Sequence, residues 1–163
     1  MVKSLRPKGK RAMAAHAAGC YTRDAMTRLV STSPDETVAA GRALADRLGP
    51  GACVALEGEL GAGKTHFVRG LVAGWGGAQE ATSPTFALVH EYATPRGPVF
   101  HLDLYRAESA EEIWSAAQDE LHAAHAMVVI EWADRFPEIR PAGCTRVRLR
   151  HEAAGQRSIE IDP

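Results

Sequence analysis

One eight-residue stretch stands out in this chain: GELGAGKT, residues 58–65. It fits the pattern G-x-x-x-x-G-K-[ST], in which a glycine-rich loop wraps phosphate groups and the lysine reaches the phosphate oxygens. Lys64 is the only lysine after Lys10, since every other fixed positive charge from residue 11 onward is an arginine. A compact ammonium can reach between neighbouring phosphate oxygens, whereas a planar guanidinium is too bulky. The stretch therefore predicts a P-loop.

The flanking residues have the pattern that such a loop requires. Residues 52–56 (ACVAL) form a short apolar run typical of a buried strand. From Lys64 onward the spacing is helical, and one face carries Phe67, Val68, Leu71 and Val72. Glycines let the loop turn its N–H groups inward, and the helix N-terminus that follows favours negative charge. An ordinary glycine-rich turn is the alternative, and the strand–loop–helix context argues against it.

Length and charge divide the chain into two parts. At 163 residues it is long enough for one domain with a single core. Residues 1–11 contribute a charge of +5 and the whole chain is −1, so residues 12–163 sum to −6. We expect residues 1–25 to be a basic, disordered N-terminal extension and residues 26–163 to be a P-loop ATPase domain. Translation from Met26 and a transit peptide are the alternatives for the extension.

Composition also limits the cellular setting. No apolar run approaches the ~20 residues of a membrane span, and the N-terminus lacks the apolar segment of a secretory signal. Cys20, Cys53 and Cys144 are odd in number and widely separated, so we expect no disulfide framework and a cytoplasmic location. The simpler interpretation makes Cys53 and Cys144 small core residues on strands.

The rest of the chain predicts alternating helices and strands. Ser33 to Glu36 has the capping-box pattern and predicts a helix to about Leu48, and Ser109 to Glu112 starts another. Extended segments are predicted at residues 85–92, 98–105, 127–130, 145–150 and 157–161. The first two suggest an antiparallel hairpin around residues 94–97. The mixture predicts an α/β fold, a P-loop nucleotide-binding sandwich with a mixed parallel and antiparallel central sheet.

Two acids follow strands where a phosphate site needs them. Glu131 follows the buried run Val128–Ile130, and ligands in such folds gather at the carboxyl ends of strands. Asp103 is the competing candidate, in HLDLYR (residues 101–106). Either acid can hold Mg²⁺ or orient the attacking water, and either can instead be a structural acceptor. The loop Thr82-Ser83-Pro84-Thr85 lies where switch-like segments sense the γ-phosphate.

Four motifs in this order resemble the TsaE family: GELGAGKTHFVRG (58–70), SPTF (83–86), HLDLYR (101–106) and IEW (130–132). That family comprises small bacterial ATPases of the machinery that places threonylcarbamoyl on adenosine of tRNA. The resemblance, over roughly residues 29–161, implies ATP and Mg²⁺ as cofactors and slow hydrolysis. It also implies docking on the tRNA threonylcarbamoyltransferase subunit pair, with tRNA touched at most indirectly and the free protein a monomer.

The resemblance carries roles onto individual residues. Lys64, Asp103 and Glu131 would serve catalysis, and Thr65 with Glu131 would hold the metal. The nucleotide would be bound by Gly61, Ala62, Gly63, Lys64, Thr65, His66, Ser83, Thr85 and Trp132. His66 departs from the family, which usually has a second threonine there, so a contact to the α-phosphate would come from a backbone N–H or an imidazole.

Three function classes are compatible with these features. The first is an ATPase subunit that drives or resets a partner enzyme, and the motif set favours it. The second is a small-molecule or nucleoside kinase, which would need an acceptor pocket and an arginine-rich lid. The third is a non-catalytic module that only senses ATP. A GTPase is disfavoured, because the chain contains no asparagine and so lacks the guanine-reading N-K-x-D motif.

Overall fold

The computed structural model describes residues 26–79, 81–82 and 87–163. The strands are β1 Thr27–Ser31, β2 Cys53–Glu57, β3 Val89–Tyr92, β4 Val99–Asp103, β5 Met127–Glu131, β6 Thr145–His151 and β7 Arg157–Asp162. The α-helices are α1 Pro34–Ala45, α2 Lys64–Gly74 and α3 Ala110–Leu121. Short 3₁₀ turns cover Leu104–Arg106, Pro137–Ile139 and Ala153–Gly155. The basic extension predicted for residues 1–25 lies outside the described residues.

The strands form one seven-stranded sheet in the order β1-β7-β6-β2-β5-β4-β3. The central strands β6, β2, β5 and β4 run parallel, and antiparallel pairs close both sides, β3 on β4 and β7 between β6 and β1. Because β2, β5 and β4 are parallel neighbours, their carboxyl ends meet at one edge of the sheet. This confirms the predicted mixed sheet and the hairpin formed by β3 and β4.

Helices cover the two faces of the sheet unequally. Helices α1 and α2 pack on one face with apolar residues of β2, β5, β6 and β7. Helix α3 packs on the other face, where Ile113, Ala117 and Leu121 contact apolar residues of β2, β4 and β5. Strands β1, β6 and β7 contribute no residue to this second cluster. On that side of the sheet, no helix among the described residues covers their outward residues.

The predicted capping boxes start α1 and α3. The hydroxyl of Ser33 accepts a hydrogen bond from the N–H of Glu36 (3.2 Å), and Ser109 does the same for Glu112 (3.1 Å). In a capping box the glutamate accepts a hydrogen bond from the N–H of the N-cap residue. Here the glutamates reach one residue further back, and Glu36 accepts from the N–H of Thr32. This hydrogen bond lowers the pKa of Glu36. Helix α1 ends at Ala45 rather than near Leu48.

Two expectations from the sequence are wrong or incomplete. Cys53 and Cys144 form a disulfide, with Cα atoms 4.6 Å apart. The sequence argument failed because the pairing joins residues 91 positions apart, a proximity that only the sheet creates. Cys144 also lies just before β6 rather than on a strand. Strand β1 was missed, and it pairs with β7 at the far edge of the sheet. No helix in the described ranges is long and apolar enough to cross a membrane.

The contact between α1 and α2 depends on two glycines. A β-carbon on Gly70 would overlap the backbone oxygen of Val38 in α1, and one on Gly41 would overlap that of Phe67 in α2. The two helices therefore approach backbone to backbone, which only glycine permits. Helix α2 starts at the P-loop, so the contact with α1 fixes the position of the helix that follows the loop.

We expect Gly70→Ala to lower the free energy of unfolding by about 1–3 kcal/mol, because the added methyl group must push the helices apart. Chemical denaturation followed by circular dichroism measures this loss. Gly49→Ala is the matched control, since its β-carbon would meet no atom within 4 Å. Equal stability of the two variants would show that α1 does not restrain α2 in this way.

Candidate functional site

A cleft opens at the carboxyl edge of the central strands. Its lining comes from the P-loop, the start of α2, the end of β4 and the residues that end β5. The lining residues are Leu60, Gly61, Gly63, Lys64, Thr65, His66, Asp103, Tyr105, Glu131 and Trp132. Most of the site residues predicted from sequence therefore lie in one place.

The P-loop has the backbone of an anion-binding loop. Gly61 and Gly63 have φ angles of +78° and +103°, which residues with side chains adopt rarely. Gly63 is the N-cap of α2, and no side chain caps that helix end. The first N–H groups of a helix lack intrahelical partners and attract negative charge. The start of α2 is therefore available to an anionic ligand in the cleft.

Lys64 is folded back onto its own loop. Its Nζ donates hydrogen bonds to the backbone oxygens of Gly58 (2.7 Å) and Glu59 (2.8 Å). The same ammonium lies 3.5 Å from the centroid of the Trp132 ring. Burial lowers the pKa of Lys64, and the carboxylates of Glu131, Asp134 and Asp103 oppose that shift. These contacts stabilise the ammonium in this position.

Glu131 is a buried carboxylate with a partner on each oxygen. Its Oε1 lies 3.0 Å from Nε2 of His101, and its Oε2 accepts a hydrogen bond from the Thr65 hydroxyl (3.4 Å). His101 is fully buried and Glu131 is 2 % exposed. The histidine comes from β4, beside β5, so the sheet itself places the two groups together. Glu131 thus has a fixed orientation towards the first turn of α2.

Asp103 lies next to Glu131. The register pairs Asp103 at the end of β4 with Glu131 at the end of β5. Oδ1 of Asp103 accepts a hydrogen bond from the N–H of Tyr105 (3.0 Å), which starts the 3₁₀ turn. Because β4 ends at Asp103, the extended segment predicted for residues 98–105 stops two residues early, and Tyr105 belongs to the turn. The two carboxylates share the cleft, as the strand-end argument predicted.

Trp132 covers one side of the cleft from a strained backbone position. Among the described residues it is the one non-glycine residue with a left-handed φ, +61°. Such a conformation costs energy and occurs most often at functional sites. Its ring packs on Tyr105 with centroids 4.9 Å apart and holds the Lys64 ammonium on the indole. The Trp132 indole therefore helps to hold the Lys64 ammonium in place.

Not every predicted residue lies in the cleft. The Ala62 side chain is buried in the apolar core, and its N–H donates to the backbone oxygen of Glu59 (3.2 Å). Ser83 and Thr85 lie outside the described residues.

Arg135, in the segment after β5, donates to the backbone oxygens of Leu104, Tyr105 and Ala107, so it secures the 3₁₀ turn beneath the site.

Sequence reasoning missed a series of contacts that joins Thr82 to the site through Tyr92 and His101. The Tyr92 ring stacks on His101 with centroids 6.2 Å apart. The Tyr92 hydroxyl donates to the backbone oxygen of Thr82 (3.1 Å) and accepts from its N–H (3.3 Å). Desolvation raises the pKa of Tyr92, which keeps the hydroxyl protonated. Tyr92 and His101 thus join Glu131 to Thr82, the first residue of the predicted switch-like loop. The sequence signal for His101 was its place in the HLDLYR motif, two residues before Asp103.

The residues present fit a magnesium nucleotide. Thr65 and Glu131 offer neighbouring oxygen atoms, the donor type that Mg²⁺ prefers, and Mg²⁺ commonly takes few protein ligands plus phosphate oxygens. Within the described ranges, no group of three or more His, Cys, Asp or Glu residues could hold a metal ion. A site completed by phosphate and water is consistent with that finding.

Comparison with known proteins gives one consistent family. The family model for "Threonylcarbamoyl adenosine biosynthesis protein TsaE" matches residues 31–159. The chain is 37% identical over 145 residues to the tRNA threonylcarbamoyladenosine biosynthesis protein TsaE of Nostoc sp., covering 87% of this chain and 89% of that protein. The protein of the same name from Treponema pallidum is 37% identical over 134 residues, covering 82% and 98%.

A solved structure has the same fold. The crystal structure of YdiB from Bacillus subtilis superposes with a TM-score of 0.68 and 26% sequence identity, over 86% of this chain and 87% of that one. The arrangement of the mixed sheet and its helices is therefore shared with an experimentally determined protein.

The quantity of interest is the factor by which Mg²⁺ raises the affinity for the nucleotide. We expect His101→Phe to reduce this factor by about tenfold or more, because the variant removes the donor that orients the Glu131 carboxylate. The measurement is calorimetric binding of ADP with Mg²⁺ and with EDTA. His101→Gln, whose amide can reach the same oxygen, should restore part of the effect.

An equal loss of ADP affinity in EDTA would contradict the assignment, since it would mean that His101 supports the whole cleft rather than the metal carboxylate. Thermal unfolding of both variants serves as the control for folding.

Proposed function

This chain belongs to the TsaE family of threonylcarbamoyladenosine biosynthesis proteins, and on that premise we propose that it binds and hydrolyses Mg-ATP as an accessory protein in threonylcarbamoyladenosine modification of tRNA. It acts on the tRNA threonylcarbamoyltransferase subunit pair. The observation that carries the proposal is the meeting of the P-loop with two strand-end carboxylates in one cleft. Family membership supplies the reaction in which that site is used.

The P-loop binds the phosphates. Gly61, Gly63 and the start of α2 line the cleft together with Lys64. To reach a phosphate, Lys64 exchanges the oxygens of Gly58 and Glu59 for those of the ligand. Lysine suits this exchange because its stem is flexible and its ammonium is compact.

Thr65 and Glu131 hold the metal. When bound, Mg²⁺ neutralises charge on the phosphate oxygens and so lowers the barrier to phosphoryl transfer. The hydrogen bond between Thr65 and Glu131 (3.4 Å) brings the two oxygens together at the first turn of α2. His101 keeps Glu131 in that orientation from the neighbouring strand.

Asp103 orients the attacking water. Asp103 lines the same cleft at the strand end beside Glu131, and its Oδ1 accepts a hydrogen bond from the N–H of Tyr105. In-line attack by water needs a positioned acceptor more than covalent help from the protein. This division assigns the metal to Glu131 and the water to Asp103.

A nucleoside contact is assigned to Arg157. A β-carbon on Gly63 would lie 3.4 Å from Cδ and Nε of Arg157, so this side chain borders the P-loop on the β7 side. Its Nε is buried and has no hydrogen-bond partner among the described residues. A ribose or base that extends from the phosphates towards β7 would supply the missing acceptor.

Family membership also supports a proposal for the regulation and the cellular setting of the protein. Ser83 and Thr85 report loss of the γ-phosphate, and Tyr92 links the adjoining Thr82 to the stack on His101. The free chain is a weak ATPase and a monomer in the cytoplasm, and its partner pair stimulates hydrolysis. Contact with tRNA is at most indirect, because residues 12–163 carry a net charge of −6.

We expect Lys64→Ala to lower ATP turnover by about a hundredfold or more, because it removes the cation that neutralises phosphate charge in the cleft. Lys64→Arg keeps the charge and should fail as well, since the guanidinium does not fit the same space. Turnover is measured by phosphate release, with thermal unfolding as the folding control. Unchanged turnover in Lys64→Ala would refute the site.

We expect ATP hydrolysis by the purified chain to be slow alone and to rise at least severalfold when the host's carbamoyltransferase pair and tRNA are added. Phosphate release under both conditions measures the effect. Glu131→Ala is the reference variant, since it should abolish the rise. Phosphoryl transfer to a metabolite would favour the kinase alternative, and a normally active complex with Glu131→Ala would favour a module that only senses ATP.

A further inference from the structure

One carboxylate outside the cleft is surrounded by three arginines. Glu57, the last residue of β2, accepts hydrogen bonds from Arg140 (3.1 Å), from Arg146 through two nitrogens (3.1 and 3.3 Å) and from Arg148 (3.0 Å). We call these four residues the arginine cluster. Its three cations and one anion leave a local charge of +2, although the chain as a whole is −1.

The cluster lies on the part of the sheet that is not covered by α1, α2 or α3, the α-helices of the described residues. Arg146 and Arg148 alternate along β6 with Val147 and Leu149, which face α1 and α2. The arginines therefore point to the opposite face, where α3 covers β2, β4 and β5 but not β6. Their side chains keep 37 % and 26 % of their surface exposed, while the side chain of Glu57 keeps 11 %.

The guanidinium groups are fixed in place but not saturated. Each carries five N–H donors. Four of the donors contact Glu57, and a fifth, Nε of Arg140, donates to the backbone oxygen of Pro137 (3.4 Å). Because Glu57 orients the groups in advance, a second acceptor would bind them with little loss of side-chain entropy. The cluster is therefore prepared for an additional anion.

A shallow depression adjoins the cluster. Arg140 and Arg146 line it together with Pro137, Pro141, Ala142, Gly143 and Cys144. Apart from the two arginines, the residues that line the depression are small or apolar. This combination suits a short side chain that ends in an acid.

Carboxylates limit the size of the positive region. Glu160 and Asp162 of β7 lie opposite Arg148 and Arg146 in the sheet register. Glu160 lies 3.9 Å from Arg28. A nucleic-acid strand presents a charge about every 3.4 Å and would extend across these acids. A compact group of carboxylates on a protein matches the small excess of positive charge in the cluster better.

We propose that the arginine cluster is the docking site for an acidic surface patch of the protein partner, with Asp or Glu carboxylates bound by Arg140, Arg146 and Arg148. This rests on the proposed function, which supplies the carbamoyltransferase pair as the partner. Glu57 immediately precedes the P-loop residue Gly58, so the docked surface lies one residue from the nucleotide loop. Docking at this point places the partner beside the nucleotide site without occupying it.

The test is the affinity of the full chain for the carbamoyltransferase pair at several salt concentrations. We expect the double variant Arg146→Ala, Arg148→Ala to bind the pair about tenfold or more weakly and with a smaller salt dependence. Arg146→Ala alone leaves Glu57 with two arginines and should lose part of the affinity. Arg42→Ala, on α1 at the opposite face, is the matched control and should stay within about twofold. Affinity for Mg-ADP should not change in any of them.

The outcomes separate the two proposals. Equal affinity of the wild type and the cluster variants for the pair would overturn the docking site and leave the proposed function standing. No binding of the pair by the wild type would overturn both. Loss of tRNA binding in the cluster variants, with affinity for the pair retained, would assign the surface to nucleic acid and overturn the proposal.

Discussion

A carboxylate buried at the edge of a sheet needs a partner for each oxygen, and the site is arranged around this requirement at Glu131. His101 meets it from β4 and Thr65 meets it from α2, so one side chain connects the central sheet with the phosphate loop. The contact depends on the parallel register that sets β4 beside β5. A shift of that register by one residue would move His101 to the other face of the sheet.

The sequence predicted the parts of the molecule whose chemistry is local. The P-loop, its strand and its helix could be recognised because glycine geometry, lysine reach and helix start occupy eight consecutive residues. Glu131 and Asp103 could be named because strand ends are visible as ends of apolar runs. The place of Asp103 beside Glu131 depends on pairing between strands, which periodicity alone does not give.

What escaped prediction depends on distant parts of the chain. Strand β1 has little pattern of its own and is held by β7, about 130 residues later in the sequence. Cys53 and Cys144 meet only because β2 and β6 are neighbours. The role of His101 arises from the strand beside it, and the left-handed φ of Trp132 belongs to a turn that no propensity scale assigns to tryptophan.

The resting position of Lys64 has a consequence for how tightly the site can bind. Its ammonium is already a ligand for two backbone oxygens and an indole, so an incoming phosphate competes with the protein's own groups. The apparent affinity for a phosphate would then be the intrinsic affinity multiplied by the fraction of molecules in which Lys64 has left these contacts. Any surface that packs against Trp132 and displaces the indole would raise that fraction. With the function proposed above, a partner bound at Trp132 would tighten nucleotide binding without adding a contact to the nucleotide.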